Sequence, residues 1–325
     1  MIKFPSELRF DIVSRDWVVI ATGRAKKPEM FRREKRIKID IDKEKCPFCN
    51  LEVKEKPLLN YQNTIVIPNK YPAFLPSRKL GKKTEGGLYQ TINAVGYCEL
   101  VVTKDHDKSL AVLSRDNVKE VVGSYQERYL VLKEKPHVNY ISIFHNHGRE
   151  AGASVSHPHS QIITTPLIDE DLGRALLNSE KYFREKKTCV YCQMNEWEKE
   201  SKSRIVFENE DFLAVCPFAS KAAFEIIISP KNHLPYFERI NEKEKEQLAE
   251  ALKVSLRKIY KGLGDPAYNF YLHTAPSDGK DYSYYHWHWT ILPKTSTWAG
   301  FEIGTRMEIS TIEPEKAAAY LKKQR

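Results

Sequence analysis

The chain has little that would take it to a membrane. No apolar run approaches the ~20 residues of a bilayer span, and the opening Met1-Ile2-Lys3-Phe4-Pro5 lacks the apolar core of a signal peptide. It is also poor in cysteines placed for disulfides. Four of the six sit in two CxxC pairs, too close together for ordinary structural bridges, and Cys98 and Cys216 stand alone in apolar, strand-like surroundings. Reduced thiols and a cytoplasmic location are the expectation. Dense charge of one sign is scarce as well. The formal charge is +9, but basic residues are spread among acids, as in Glu242-Lys243-Glu244-Lys245-Glu246, and only Arg32-Arg33-Glu34-Lys35-Arg36 is locally dense. This reads as a solvated surface rather than a nucleic-acid footprint, and the positive excess suits an anionic substrate.

What is present is material for a core: 41% hydrophobic residues in a 325-residue chain make one or two globular domains. Short apolar runs punctuated by Pro and Gly predict strands at Trp17-Val18-Val19-Ile20, Thr64-Ile65-Val66-Ile67, Cys98-Glu99-Leu100-Val101-Val102 and Tyr140-Ile141-Ser142-Ile143-Phe144. Ser114 reads as the N-cap of a helix whose apolar face carries Val118, Val121, Val122, Tyr125, Tyr129 and Leu132. The order then recurs: a CxxC, strands at Arg204–Phe207 and Glu225–Ile228, a helix bearing Leu248, Leu252, Leu256 and Ile259, and a strand from Tyr268 to Leu272. Whole blocks repeating in order indicate a duplicated unit. A charged amphipathic helix from Leu167 to Lys187 separates the copies, which places the domains at 1–170 and 171–325. Strands broken by one long helix, without alternating βαβ, predict an α+β fold with an antiparallel sheet in each copy.

Each copy offers two cysteines and two histidines. Cys46 and Cys49 precede His106 and His157; Cys189 and Cys192 precede His233 and His286. A CxxC turn supplies two thiolates from one tight loop, and imidazole completes a tetrahedron that suits zinc. Two structural zinc ions per chain are expected, with iron as the alternative at the second site. Four protein ligands close the shell and leave no place for a reactive water.

The segment Ala153-Ser154-Val155-Ser156-His157-Pro158-His159-Ser160-Gln161 carries the chemistry. With His157 held by metal, Pro158 projects His159 from a fixed position, where a neutral imidazole is a good nucleophile toward phosphorus. Gln161 is placed to donate to a phosphoryl oxygen, and Ser154 with the glycine-containing turns before it completes an anion cradle. The second copy reads His286-Trp287-His288, with Thr290 at the position of Gln161, so only the first copy keeps the full set.

Together with Arg24-Ala25-Lys26-Lys27-Pro28, Cys46-Pro47-Phe48-Cys49, Pro68-Asn69-Lys70-Tyr71-Pro72, Asp105-His106, Asn146-His147-Gly148 and Gly300-Phe301-Glu302-Ile303-Gly304-Thr305, this segment resembles the galactose-1-phosphate uridylyltransferases, a branch of the histidine-triad superfamily. The resemblance covers nearly the whole chain and implies tandem histidine-triad-like units of antiparallel sheet with flanking helices. It implies a covalent nucleotidyl intermediate on His159, with Gln161 and Ser154 on the phosphate and Arg24 and Lys27 near the phosphates. Phe48 and Asn69 would line the nucleoside pocket, Asn146 would lend a backbone contact, and Phe301, Glu302 and Gly304 would take part in nucleotide or substrate binding. UDP-glucose and a hexose 1-phosphate would exchange UMP in two steps, in a homodimer. The second CxxC resembles a two-zinc subgroup that includes an adenylyl-transferring ADP-glucose phosphorylase, the alternative activity. A nucleotide-sugar hydrolase and a zinc-bearing nucleic-acid binder are the readings from other classes; the second leaves His159-Ser160-Gln161 unexplained.

Overall fold

Alternation in the short apolar runs and 3.6-residue periodicity in the long ones produce the elements they should. The computed structural model describes residues 6–24, 27–32, 42–49, 51 and 56–324, with the side chain of Arg24 outside that set. Strands β1 (Glu7–Phe10), β2 (Trp17–Ile20), β3 (Leu59–Asn60), β4 (Thr64–Pro68), β5 (Lys83–Glu85), β6 (Tyr89–Thr91) and β7 (Cys98–Thr103) lead to helix α1 (Arg115–Leu132), then β8 (Tyr140–His147) and β9 (His159–Thr165). Helices α2 (Glu170–Lys186) and α3 (Val190–Ser201) connect to β10 (Ile205–Glu208), β11 (Phe212–Val215) and β12 (Ile226–Pro230). The chain continues through α4 (Glu242–Leu263), β13 (Tyr268–His273), β14 (His288–Pro293), α5 (Gly300–Thr305), β15 (Ile309–Ser310) and α6 (Pro314–Lys322). The expected N-cap is present: Ser114 Oγ accepts from the amide of Asn117 at 3.1 Å, and Asn241 with Glu244 forms a capping box at the start of α4.

Ten strands form one antiparallel sheet in the order β10-β11-β12-β14-β13-β8-β9-β7-β4-β3. The two copies run outward in the same order from a shared seam, where β8 pairs with β13 and Phe144 lies opposite Tyr271. The halves are thus joined through backbone hydrogen bonds and cannot part without exposing two strand edges. Helices α1 and α4 pack against each other on one face, closing a core with Tyr125, Tyr129, Phe237, Phe270, Trp287 and Trp289.

Strand alternation then decides the site. On β9, Ser160 and Ile162 turn into this core, where Ser160 Oγ lies 2.6 Å from Tyr125 Oη and 3.0 Å from His145 Nδ1. His159 and Gln161 therefore project from the opposite face.

Three features depart from the sequence reading or were absent from it. The second CxxC opens a helix, since Cys189 is the N-cap of α3 and Cys192 lies in its first turn, although that helix follows α2 rather than a strand. Strands β1, β2 and β15 form a separate three-stranded sheet in which β15 runs parallel to β2. The amino-terminal strands also lie on the second half of the molecule: Arg9 donates to the Phe218 carbonyl at 3.2 Å and to Glu315 at 2.9 Å, and Lys221 Nζ reaches Asp16 at 3.0 Å.

Helix α1 is tied to β7 by a buried fork in which Arg128 Nε and Nη2 donate to the two Glu99 carboxylate oxygens at 2.8 and 2.7 Å. Removing one member strands the other charge in the core. Arg128→Ala should therefore cost about 3–5 kcal/mol in urea unfolding, and Arg128→Met with Glu99→Leu should recover most of that loss.

Candidate active site and metal centres

The end of β7 and the start of β9 create the first centre. His157 Nε2 donates to the Thr103 carbonyl at 2.5 Å, so its Nδ1 carries a lone pair. That nitrogen lies 3.4 Å from Cys46 Sγ, 3.6 Å from Cys49 Sγ and 3.2 Å from His106 Nδ1, and Cys49 Sγ is 3.0 Å from His106 Nδ1. The second centre repeats the device at the end of β12. His286 Nε2 donates to the Pro230 carbonyl at 3.0 Å and His233 Nε2 to the Ser283 carbonyl at 2.6 Å. Their Nδ1 atoms face Cys192 Sγ at 3.5 and 3.4 Å, and Cys189 Sγ lies 4.0 Å from His286 Nδ1.

In each cluster all four ligand atoms lie within 4.8 Å of one another. A tetrahedron with bonds of about 2.0–2.3 Å has edges of roughly 3.3–3.8 Å, so the spacing fits a metal ion. The donor orientation fits too: imidazole lone pairs aimed at sulfur, with no N–H between them, repel until a cation sits in the middle. Thiolate and imidazole donors are consistent with zinc. Cys189 is held toward its thiolate chiefly by the hydrogen bond from Cys192, with His233 and His286 adding to it against the effect of burial.

His159 stands beside the first centre and outside its ligand set. Its Nδ1 donates to the His157 carbonyl at 2.9 Å, which leaves the lone pair on Nε2. The ring packs edge-on against Phe48 at 5.0 Å between centroids. Burial draws its pKa below the usual histidine value, and the His157 carbonyl opposes this only in part. At neutral pH the ring is a free base. Phe48 also borders an apolar patch of Leu51, Ile65, Ile67, Leu100 and Val102, which gives the face beside His159 a dry floor.

The remaining expected residues are placed as follows. Gln161 shares the face of His159 two residues along β9, opposite Phe144. Asn146 is one register step beyond the His145↔Ser160 pair, next to His159. Its Oδ1 accepts from Asn269 Nδ2 at 2.8 Å, and the same nitrogen donates to the Ala151 carbonyl at 2.8 Å. Asn269 was not singled out from the sequence; only its placement across the seam reveals that the second half braces the turn before the histidine pair. That turn is set by Gly148 and Gly152, both at φ +88°, and leaves Ser154 exposed.

Asn69 follows β4, with its Oδ1 accepting the Tyr71 amide at 3.0 Å. Lys27 is exposed, and the expectation for the Arg24 side chain lies outside the described residues. Phe301, Glu302 and Gly304 lie on α5, a short exposed helix in which Glu302 Oε2 accepts the Ala299 amide at 3.0 Å. Along the seam a groove of about 320 Å³ runs from Asn146 and Asn269 past Phe144 and Tyr271 to Ser142, His273 and Asp169. His273 and His288, the second-half neighbours of this groove, stack at 4.8 Å, and burial pushes His273 down to about 4.

The description "Galactose-1-phosphate uridyl transferase, N-terminal domain" matches residues 2–168, and its C-terminal counterpart matches residues 176–323. The chain belongs to the galactose-1-phosphate uridyl transferase family. It is 33% identical to an ADP-glucose phosphorylase of Arabidopsis thaliana over 97% of this chain and 92% of that one. It is 30% identical to a galactose-1-phosphate uridylyltransferase of Thermotoga maritima over 97% of this chain and 98% of that one. The crystal structure of the Arabidopsis thaliana ADP-glucose phosphorylase with bound ADP-glucose superposes with a TM-score of 0.81 at 32% identity, covering 98% of this chain and 99% of that one. As in these transferases, the fold is a mixed helix and antiparallel-sheet architecture. No described helix is long and apolar enough to cross a membrane.

Each Cys/His cluster should hold one metal ion. Cys46→Ser or Cys189→Ser should remove the metal of its own cluster only, measured by elemental analysis, and lower the melting temperature, because closed Cys/His sites contribute folding free energy. Wild-type protein purified without metal would overturn the two-site reading.

Proposed function

We propose that the protein transfers a nucleotidyl group between phosphates by a two-step reaction through His159. The observation that carries this is the His159 ring itself: fixed through Nδ1, neutral, and separate from the metal ligands, with its Nε2 lone pair available on the dry face of the sheet. In the first step Nε2 forms a bond to the α-phosphorus of a nucleotide sugar, and the bond from that phosphorus to the bridging oxygen breaks. The hexose 1-phosphate leaves with the electron pair. In the second step an oxygen of the incoming phosphate attacks the same phosphorus and His159 regains its lone pair. Gln161 and the amides of the 148–152 turn, with the Ser154 hydroxyl, donate to the phosphoryl oxygens as charge builds on them. Zinc in both clusters would be structural and take no part in bond making.

Several curated relatives are named galactose-1-phosphate uridylyltransferase, and uridylyl exchange between UDP-glucose and galactose 1-phosphate in galactose metabolism is the first reading. Adenylyl transfer from ADP-glucose to inorganic phosphate is the second, and it is supported by the 33% identity and the TM-score of 0.81 to the plant phosphorylase. We read the working species as a homodimer with no nucleic-acid or membrane partner. Product analysis decides between the two: purified protein is given UDP-glucose or ADP-glucose, each with galactose 1-phosphate or phosphate. UDP-galactose formation supports the first, and ADP with glucose 1-phosphate the second. Steady nucleoside monophosphate release without acceptor would mean a hydrolase.

His159→Gly should abolish exchange while the protein stays folded and keeps its metal. Double-reciprocal plots should be parallel, and label from the α-phosphate should stay on the wild-type protein when acceptor is withheld. Gln161→Ala should slow both half-reactions by about 10²–10³, the usual cost of one oxyanion donor. Intersecting lines with no label on the protein would point to direct transfer and remove His159 as the nucleophile.

A further inference from the structure

At the outer edge of the sheet, β10 floors a groove of about 460 Å³ that no part of the proposed reaction uses. Its rim carries Lys199 and Lys202 at the end of α3, Lys231 after β12, Lys258 on α4 and Lys322 on α6, with Glu208 as the one acid in the lining. Several lysines elsewhere sit against carboxylates, as Lys43 does on Asp107, Lys280 on Asp278 and Lys316 on Glu313. None of the five groove lysines has a carboxylate partner among the described residues.

Two of the five are instead fixed by backbone carbonyls. Lys258 Nζ donates to Leu321, Lys322 and Gln324 at 3.2, 3.0 and 2.8 Å, and Lys231 Nζ donates to Asn209 at 2.5 Å. Carbonyls orient an ammonium without neutralising it, so the charges remain and repel. Burial and the neighbouring Lys322 both draw Lys258 below the usual lysine value. The floor is apolar, formed by Ile205, Val206 and Phe207.

Helix ends account singly for four of these lysines: Lys199 and Lys202 close α3, Lys322 closes α6 and Lys258 caps the α6 carbonyls. Their convergence with Lys231 around one apolar strand still raises the repulsion with each added charge. An anion with several charges on a short chain removes that repulsion. We propose that the groove binds the polyphosphate chain of a small molecule, a nucleoside triphosphate or inorganic triphosphate, with its phosphates on Lys199, Lys202, Lys231 and Lys322, Lys258 adding only its charge because its three donors are taken, and any base against Phe207. The groove lies six strand positions from β9, roughly 29 Å at the usual strand spacing. Its occupant is therefore distinct from the substrate at His159.

Titration calorimetry with inorganic triphosphate and with ATP, at fixed ionic strength, tests this. The wild type should bind, and Gln161→Ala should bind equally. Lys202→Glu with Lys322→Glu should weaken binding by about tenfold or more, as loss of two charge-assisted contacts requires, with turnover unchanged. If that pair impairs folding, Lys199→Gln with Lys202→Gln should give the same ordering. Tighter binding of ATP, reduced by Phe207→Ser, would make the nucleoside form the natural ligand; equal binding would make it the free polyphosphate. Undiminished affinity in both lysine variants, or loss of binding in Gln161→Ala alone, would overturn the proposal. So would a wild type that ignores both anions yet binds single-stranded nucleic acid with a steep salt dependence.

Discussion

The hydrogen bond from His157 Nε2 to the Thr103 carbonyl is the constraint on which the rest of the first site depends. It joins the end of β7 to the start of β9, and by occupying Nε2 it turns Nδ1 toward Cys46, Cys49 and His106. The same backbone that holds His157 then presents its own carbonyl to His159 Nδ1. One geometry therefore selects the tautomer of two imidazoles in series, the first with Nδ1 turned into the Cys/His cluster and the second with an open Nε2. Folding alone has therefore ordered both rings.

Duplication supplies a second copy of the same device and a reason the copies now differ. His286 meets the Pro230 carbonyl just as His157 meets Thr103, so the metal cluster repeats. Beyond it the match weakens: the His288 Nδ1 contact to the His286 carbonyl lengthens to 3.4 Å, and the ring is packed between His273 and Tyr191. Burial holds His288 well below the usual histidine value. The second copy reaches the first site through Asn269, whose amide braces Asn146 and the 148–152 turn.

The seam explains why both copies are needed. Pairing β8 with β13 converts two five-stranded sheets into one of ten, gives both inner edges a partner and packs α1 against α4 on one face. The other face is left open beside the seam, where the groove from Asn146 to His273 lies. The polar network of Tyr125, Ser160 and His145 anchors β9 from below, directly behind the residues that face the open side.

Much of this was legible in the chain. Short apolar runs marked β2, β4, β7, β8, β12 and β13, and helical spacing with Ser114 marked α1, because these signals are local to each element. The eight Cys and His ligands could be grouped by repeat order alone, since a CxxC and two later histidines in both halves have few other uses. What the sequence could not carry was anything that depends on which strands become neighbours. The single sheet, the packing of β1 and β2 on the second half, and the brace from Asn269 to Asn146 all arise from pairings between segments more than a hundred residues apart. The helix opened by Cys189 was missed because its buried face, Val190 and Tyr191 with the polar Asn195 and Glu198, carries no apolar run at helical spacing and is buried by tertiary contacts. Local residues determined the two Cys/His clusters and the candidate reactive histidine; the register across the seam decided which face they share, because a strand's side chains take sides only once a partner fixes the register.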